Sequence, residues 1–144
     1  MRKAPRGTRD ILLQEAARWH FLEKMLREMC FVYNFAEIHT PIFEDAELFT
    51  RSVGEESDVV KKEMYIFKDR GNREMALRPE GTAGVTRAYL EHGLHHLAQP
   101  VKLFYFGPMF RYDRPQAGRQ RQFYQMGIEI FGSSDPAADV EIIK

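Results

Sequence analysis

Cysteine is almost absent from this sequence, because Cys30 is the only one among 144 residues. A single thiol excludes a disulfide within the chain and a metal site built from several cysteines. A reduced, cytoplasmic setting is therefore the simplest expectation. The sequence also lacks an apolar run long enough to span a membrane, and its basic N-terminus lacks the apolar stretch of a secretory signal. We expect no membrane partner.

An excess of charge of either sign is missing as well. Lysine plus arginine number 21, and aspartate plus glutamate also number 21, so the net charge is zero. Net charge therefore gives no support for binding to a nucleic acid or a membrane. Apolar residues make up 44% and charged residues 29% of the chain, a balance typical of a globular domain. A chain of this size can bury roughly 68–70% of its unfolded surface, which is enough for a core.

Several segments carry a helical pattern. Apolar residues spaced three and four apart predict an amphipathic helix at 14–33 with one face in the core. That apolar stripe consists of Trp19, Leu22, Leu26, Met29 and Tyr33. Further helices are predicted at 45–53, at 81–92 with Gly93 after its end, and from 135 onward with Ser134 or Asp135 as the N-cap.

Other segments carry a strand pattern. Strands are predicted at 35–42, 64–68, 74–77, 101–106 and 123–131. The first should end near Pro41, which cannot donate to a ladder, and a turn at 69–72 should join the second to the third. Residues 54–62 are predicted to be a surface loop. The last two strands should form an antiparallel hairpin, so the fold class is α+β, an antiparallel sheet flanked by helices.

The strongest chemical signal is a basic segment between the last two strands. Four arginines fall within residues 111–121, and Asp113 is the only acid among them. Arginine pairs bidentately with phosphate oxygens, and Phe123 at the next strand could offer a flat face to a base. The segment could therefore clamp a polyphosphate. Charge alone favours a plainer interpretation, a solvated basic loop or a patch for an RNA backbone.

Four segments together resemble the catalytic core of histidyl-tRNA synthetases, a family of class II aminoacyl-tRNA synthetases. Residues 107–125 resemble motif 2 of that class, with Gly-Pro-Met-Phe-Arg at 107–111 and Arg-Gln-Phe-Tyr-Gln at 121–125. Residues 77–82, Leu-Arg-Pro-Glu-Gly-Thr, resemble the segment that holds the amino acid. Residues 5–12 resemble the N-terminal signature, and Pro41 lies where motif 1 has its dimer-interface proline. These matches are in the family's order and cover nearly the whole chain.

The resemblance implies a nucleotide-binding role for the arginine-rich segment. Arg111 is implied to be catalytic and to contact the α-phosphate of ATP, while Arg119 reaches the far end of the bent triphosphate. Phe123 is implied to stack on adenine. Asp113 stands where the family usually has glutamate, and it is implied to meet the adenine edge with a side chain one methylene shorter. Arg121 is implied to contact phosphate or tRNA. ATP and Mg²⁺ would be the cofactors.

A second group of residues is implied to bind histidine. Glu80 would bind the α-ammonium with Thr82 beside it, and Gln125 and Glu129 would line the pocket. The last two lie four apart, so on a strand they face one side. Taken singly, Glu80 could merely favour a helix N-terminus through the helix dipole, and Glu129 could be a surface residue. The joint spacing of these residues favours the binding interpretation.

The resemblance further implies that residues 1–144 are the N-terminal portion of a catalytic domain with motifs 1 and 2. Motif 3, a histidine-specific segment with a second catalytic arginine, and the anticodon-binding domain would lie elsewhere. We expect the parent protein to be a homodimeric cytoplasmic ligase that acts on histidine and tRNA(His). We expect this chain alone to be inactive.

Two other functions remain open at the level of sequence. A paralogous regulatory histidine-binding subunit of ATP phosphoribosyltransferase keeps the fold, but a histidine sensor needs no triphosphate clamp. A general RNA-binding module would explain the arginines but not the two glutamates, which would repel phosphate. His92, His95 and His96 have a spacing compatible with metal binding, but their place near a helix end favours a dipole contact, so we expect no metal site.

Overall fold

The structure is a computed structural model that describes residues 2–53, 63–114, 116 and 118–143. Over these residues the chain forms, in order, α1 (Leu13–Val32), β1 (Ala36–Glu37), β2 (Phe43–Asp45), α2 (Ala46–Val53), β3 (Ile66–Lys68), β4 (Glu74–Leu77), α3 (Thr82–Glu91), a 3₁₀ turn (Leu94–His96), β5 (Val101–Phe110), β6 (Gln122–Phe131) and α4 (Pro136–Ile143). The predicted α+β class is confirmed. The loop predicted at 54–62 lies outside the described residues. Within the described ranges, no helix is long and apolar enough to cross a membrane.

The centre of the fold is the long antiparallel hairpin of β5 and β6. The two strands pair without a break from Val101 opposite Phe131 to Phe110 opposite Gln122. The predicted hairpin is confirmed, but β5 runs four residues beyond the predicted end at 106. Gly107 and Pro108 pair with Gln125 and Tyr124 of β6, while β1 pairs only with Leu103 and Phe104. No described strand therefore lies on the other side of β5 at Pro108, and proline is tolerated at such an edge.

The remaining strands either extend the sheet of the hairpin or form a second small sheet. β1 lies parallel to β5 and completes the order β1-β5-β6, while β2, β4 and β3 form a separate antiparallel sheet. The hairpin of β3 and β4 is confirmed, with a turn in which the Asn72 N–H donates to the Asp69 carbonyl at 3.0 Å. β2 was not predicted, since its three residues gain their stability from β4, some thirty positions away.

The predicted strand at 35–42 is wrong in its length. β1 covers only two residues, and the chain leaves the sheet well before Pro41. One further ladder bond forms, from the Ile38 N–H to the Phe104 carbonyl at 2.9 Å. Beyond it, the Thr40 carbonyl accepts a hydrogen bond from the Arg78 guanidinium at 2.9 Å. At this contact the backbone leaves the sheet that contains β1 and β5 and continues toward β2 in the other sheet.

Helix α3 covers one face of the hairpin. Val85 of α3 packs with Leu103, Tyr105 and Met109 of β5 in one buried cluster. The helix ends as predicted, because Gly93 adopts the left-handed conformation at φ +64°. The prediction for α4 also holds, since the Asp135 carboxylate accepts the Ala137 N–H at 2.9 Å.

Helix α1 covers the other face, but not with the stripe that its sequence predicts. Cys30 is the only residue of α1 that is buried, and it packs with Phe35 and Phe104. Three stripe residues, Leu22, Met29 and Tyr33, remain 38%, 46% and 43% exposed. The prediction that the whole stripe is core is therefore wrong for the described part of the chain. A narrow three-stranded sheet offers too little surface to cover a 20-residue helix.

Candidate functional site

The first site element is Arg111, which follows β5 at the loop end of the hairpin. Its Nε donates to the Pro79 carbonyl at 2.8 Å, and its guanidinium lies 5.3 Å from the centre of the Phe123 ring. Its backbone N–H donates to the Arg121 carbonyl at 2.9 Å. Among the described residues its two terminal nitrogens have no hydrogen-bond partner. This fork is therefore oriented and can still pair with an oxyanion.

Arg111 lies in an open groove of about 520 Å³ beside the end of the hairpin. The groove is lined by Glu63, Arg111, Asp113, Gly118, Arg119, Gln120, Phe123 and Tyr124. Its volume falls in the range of roughly 300–1,000 Å³ that small-molecule sites occupy. Two arginines and two aromatic rings line it together. This combination suits a ligand that has both a polyanionic part and a flat part.

Asp113 and Arg119 form an ion pair across the hairpin loop. The Arg119 Nη1 lies 3.1 Å from the Asp113 Oδ2, and the Arg119 side chain is 61% exposed. The other oxygen of Asp113 accepts the Arg114 N–H at 2.6 Å. An exposed pair of this kind contributes at most about 1 kcal/mol, so an anionic ligand could draw Arg119 away at small cost. The resemblance did not imply this pairing.

Glu80 forms the second element of the site, at the start of α3. Its Oε2 accepts the Thr82 N–H at 2.5 Å, and its Oε1 accepts the Ala83 N–H at 2.9 Å. The carboxylate therefore caps the helix, which is the plainer interpretation of this residue. Capping leaves lone pairs on both oxygens, because an ionised carboxylate has about four acceptor positions. The same group can therefore also accept an ammonium.

Thr82 and Glu129 join this element to the hairpin. The Thr82 hydroxyl donates to the Glu129 Oε1 at 2.7 Å. Burial raises the pKa of Glu129 above its ordinary value, the Thr82 hydrogen bond opposes this, and the nearby Glu80 charge raises it further. Two carboxylates in a partly buried place disfavour each other's charge, so a cationic ligand between them would relieve the repulsion.

Tyr105 completes this cluster, although no motif singled it out. Its hydroxyl accepts the Gln125 Nε2 at 3.3 Å, and the residue is 5% exposed. A β-carbon on Gly81 or on Gly127 would lie 2.2 Å from the Tyr105 ring. Burial raises the pKa of Tyr105, the hydrogen bond with Thr82 opposes this, and the nearby carboxylates add to it. The pairing of Tyr105 with a glycine across the hairpin was the one available signal.

Arg78 is a second residue that the sequence did not single out. It is 9% exposed, and its Nε donates to the Pro108 carbonyl while Nη1 donates to the Thr40 carbonyl, each at 2.9 Å. Burial lowers the pKa of Arg78. Its own carbonyl accepts the Phe110 N–H at 3.0 Å. Arg78 therefore fixes the position of Pro79, whose carbonyl in turn orients Arg111.

The eight predicted site residues fall into two neighbouring groups. Arg111, Asp113, Arg119 and Phe123 line the groove, whereas Glu80, Thr82, Gln125 and Glu129 belong to the hydrogen-bonded cluster around Tyr105. Three of these residues, Phe123, Gln125 and Glu129, belong to β6, and its register places them on the face that packs against α3.

The rings of His95 and His96 lie 4.0 Å apart, and the described residues hold no group of three side chains that could bind a metal.

A long hairpin between helices, with arginines at its loop and carboxylates on the same face, is the core architecture of a class II aminoacyl-tRNA synthetase. A family model described as histidyl-tRNA synthetase matches residues 7–144. The chain belongs to the histidyl-tRNA synthetase family.

Individual relatives agree with this assignment. The chain is 64% identical over 139 residues to a histidine–tRNA ligase of Desulforudis audaxviator, covering 96% of the chain and 33% of the relative. It is 61% identical over 142 residues to one of Natranaerobius thermophilus, covering 99% and 34%. The chain thus spans about a third of the length of the curated relatives it matches.

Two solved structures are similar over 99% of this chain, and both superpose with a TM-score of 0.83. Apo histidyl-tRNA synthetase of S. aureus is 45% identical, and the chain covers 32% of it. A Bacillus halodurans protein, described as an ATP phosphoribosyltransferase regulatory subunit/histidyl-tRNA synthetase, is 26% identical, and the chain covers 36% of it. The backbone similarity thus extends to a protein whose description names both functions.

Proposed function

We propose that the protein containing this chain is a histidine–tRNA ligase. It would activate histidine with ATP to histidyl-adenylate and then transfer the histidyl group to tRNA(His). The observation that carries this proposal is the 2.8 Å contact between the Arg111 Nε and the Pro79 carbonyl, next to Glu80. This contact joins a groove suited to a polyphosphate to a carboxylate cluster suited to an ammonium. Residues 1–144 would be the N-terminal portion of the catalytic domain.

ATP would lie in the groove at the loop end of the hairpin. Arg111 would pair with the α-phosphate, and Arg119 would exchange its Asp113 partner for the outer phosphates. Phe123 lines this groove, and its ring would stack on adenine. Asp113, once released by Arg119, would be available to an adenine amino group.

Histidine would lie beside the groove, in the cluster on the α3 face. The α-ammonium would bind Glu80, with the Thr82 hydroxyl close by. Gln125 and Glu129 would face the rest of the amino acid. The raised pKa of Glu129 supports this placement, because a cation would restore the charged form that burial disfavours.

The chemical step needs position and charge more than covalent catalysis. The histidine carboxylate oxygen would form a bond to the α-phosphorus, and the bond from that phosphorus to the pyrophosphate oxygen would break. Negative charge grows on the phosphoryl oxygens in the transition state, and the oriented Arg111 fork would stabilise it. The bond to Pro79 fixes this fork before substrate arrives, so little reorganisation is required.

Mg²⁺ would accompany the nucleotide. Magnesium at nucleotide sites is held by one or two carboxylates together with phosphate oxygens and water, not by a complete protein cage. Glu63 and Asp113 are the carboxylates that line the groove. The residues thus fit a metal that is carried by the triphosphate. The bound ion would neutralise phosphate charge.

We further propose a cytoplasmic homodimer. Exposed apolar side chains directly follow Pro41 in the segment that resembles motif 1, since Ile42 and Phe43 are 45% and 54% exposed. Apolar groups gathered on one surface are typical of an interface. Pro41 lies within this segment.

ATP–pyrophosphate exchange in the full-length protein tests the proposal. Exchange should depend on histidine and not on other amino acids. Arg111→Ala should lower the exchange rate by on the order of 10² or more, because a transition-state charge contact is lost, while histidine binding changes little. Arg73→Ala is the matched control, since Arg73 is an exposed arginine paired with Asp69. Near-normal exchange by Arg111→Ala would refute the assignment.

The regulatory subunit is the second candidate, favoured by the Bacillus halodurans likeness. It predicts histidine binding without exchange in the wild-type protein. The groove argues against it, because two arginines and an aromatic ring around about 520 Å³ serve no purpose in a sensor of histidine alone.

A further inference from the structure

A second basic element lies next to the arginine-rich loop. We call residues 2–9 the basic arm; it holds four cationic residues and no acidic one. These cations are Arg2, Lys3, Arg6 and Arg9. We propose that the basic arm is an RNA-phosphate contact that extends the tRNA surface beyond the hairpin loop. This inference rests on the proposed function and deepens it.

The arm is attached to the hairpin through its backbone. The Gly7 carbonyl accepts the Arg121 N–H at 2.7 Å and the Gln122 N–H at 3.3 Å. Gly7 has φ +84°, and a β-carbon there would lie 2.6 Å from the Arg121 Cγ. Only glycine allows this close approach at low cost. The basic arm is therefore anchored to the hairpin at Gly7.

Two further contacts shape the arm. The Thr8 hydroxyl and N–H both donate to the Pro5 carbonyl, at 2.8 and 3.1 Å, and close a tight turn. Arg9 forms an ion pair with Glu15 of α1 at 2.7 Å. Arg9 is therefore occupied, whereas the other three cations are exposed and form no ion pair with any residue in the described part of the chain.

The location of these cations indicates the kind of ligand. No residue of the arm lines the nucleotide groove, so a mononucleotide bound there would be held by Arg111 and Arg119 alone. Arg121 turns away from the groove as well, with its guanidinium 3.9 Å from the Tyr112 ring. A ligand that meets the loop and the arm together must carry phosphates over a longer distance. A single nucleic-acid strand does so.

Charge distribution supports the same conclusion. The chain as a whole is neutral, with 21 residues of each sign. The arm and residues 111–121 together contribute eight cations and one acid, so positive charge is concentrated at this edge. Such local concentration is the electrostatic footprint of phosphate-backbone binding. Backbone contacts position a nucleic acid and carry no sequence information, which suits a cluster of exposed cations.

The test replaces the three unpaired cations in the full-length protein. Arg2→Gln, Lys3→Gln and Arg6→Gln are combined, and aminoacylation of tRNA(His) is measured across salt concentrations. The KM for tRNA should rise by on the order of tenfold. The slope of log KM against log salt should fall by about 2, since each lost single-strand contact removes roughly 0.7. ATP–pyrophosphate exchange without tRNA should be unchanged.

The matched control removes three cations elsewhere. Lys24→Gln, Arg51→Gln and Arg73→Gln make the same change in net charge at side chains that are 75%, 79% and 75% exposed. An equal rise in KM for this control would show a general charge effect and overturn the proposal. An unchanged KM and salt slope in the arm variant would also overturn it. Absence of exchange in the wild-type protein would instead overturn the proposed function, so the two failures are distinguishable.

Discussion

Glu80→Gln separates the two tasks that one carboxylate performs in this structure. Glu80 accepts the backbone N–H groups of Thr82 and Ala83, and we propose that it also binds the α-ammonium of histidine. Glutamine keeps one acceptor oxygen but replaces the other with a donor. One capping bond is therefore lost, and the negative charge disappears. The first loss acts on stability and the second on ligand binding.

The magnitudes of the two effects can be estimated independently. Loss of a good N-cap contact costs about 0.5–2 kcal/mol of stability. Loss of a charge-assisted hydrogen bond costs about 1.5–3 kcal/mol, which lowers the affinity for histidine roughly 10- to 100-fold. ATP affinity should stay close to that of the wild type, because Glu80 does not line the groove.

Calorimetry on the full-length protein measures both affinities, and urea unfolding measures the stability. The decisive comparison is between histidine and its des-amino analogue, which lacks the ammonium. The variant should lose affinity for histidine and keep its weak affinity for the analogue. Equal losses for both ligands would mean that the substitution acts only through the helix cap, and the ammonium assignment would be refuted.

Two further predictions concern the cluster around Tyr105. Gly127→Ala should lower the free energy of unfolding by about 1–3 kcal/mol in urea denaturation, because its β-carbon would lie 2.2 Å from the Tyr105 ring; an unchanged midpoint would contradict this close packing. Glu129→Gln should leave stability nearly unchanged at pH 4 and raise it relative to the wild type at pH 7. The pKa of Glu129 is raised in the folded state. The stability that the neutral form contributes is therefore present below the ordinary pKa of 4.5, and it is lost as the pH rises through the folded pKa. If the variant is no more stable than the wild type at pH 7, burial does not disfavour the charged form of Glu129, and the prediction is contradicted.

Local sequence patterns were sufficient for most helices and for the main hairpin. Strand-forming residues predicted β5, apolar alternation predicted β6, and the turn residues at 69–72 predicted the pair of β3 and β4. The caps at Gly93 and Asp135 were also predictable, because each depends on the backbone within a few residues. These features share one property, namely that the interactions behind them are close along the chain.

Three features could not be predicted in this way. β2 exists because of its ladder with β4, the stripe of α1 is only partly covered because the sheet beneath it is narrow, and β5 continues through Pro108 because β6 lies opposite. In each case the partner is distant in sequence. A pattern within one segment contains no information about how much surface another segment will supply.

The site shows the same division. The sequence by itself determined which side chains could bind phosphate or an ammonium, because arginine, glutamate and aromatic residues carry that chemistry wherever they lie. Only the tertiary structure brought the two groups together. The Pro79 carbonyl meets the Arg111 Nε across 32 positions, and Arg78 reaches Thr40 across 38. Such contacts depend on strand register and on space left by glycines such as Gly107, and these are set by the packing of whole elements.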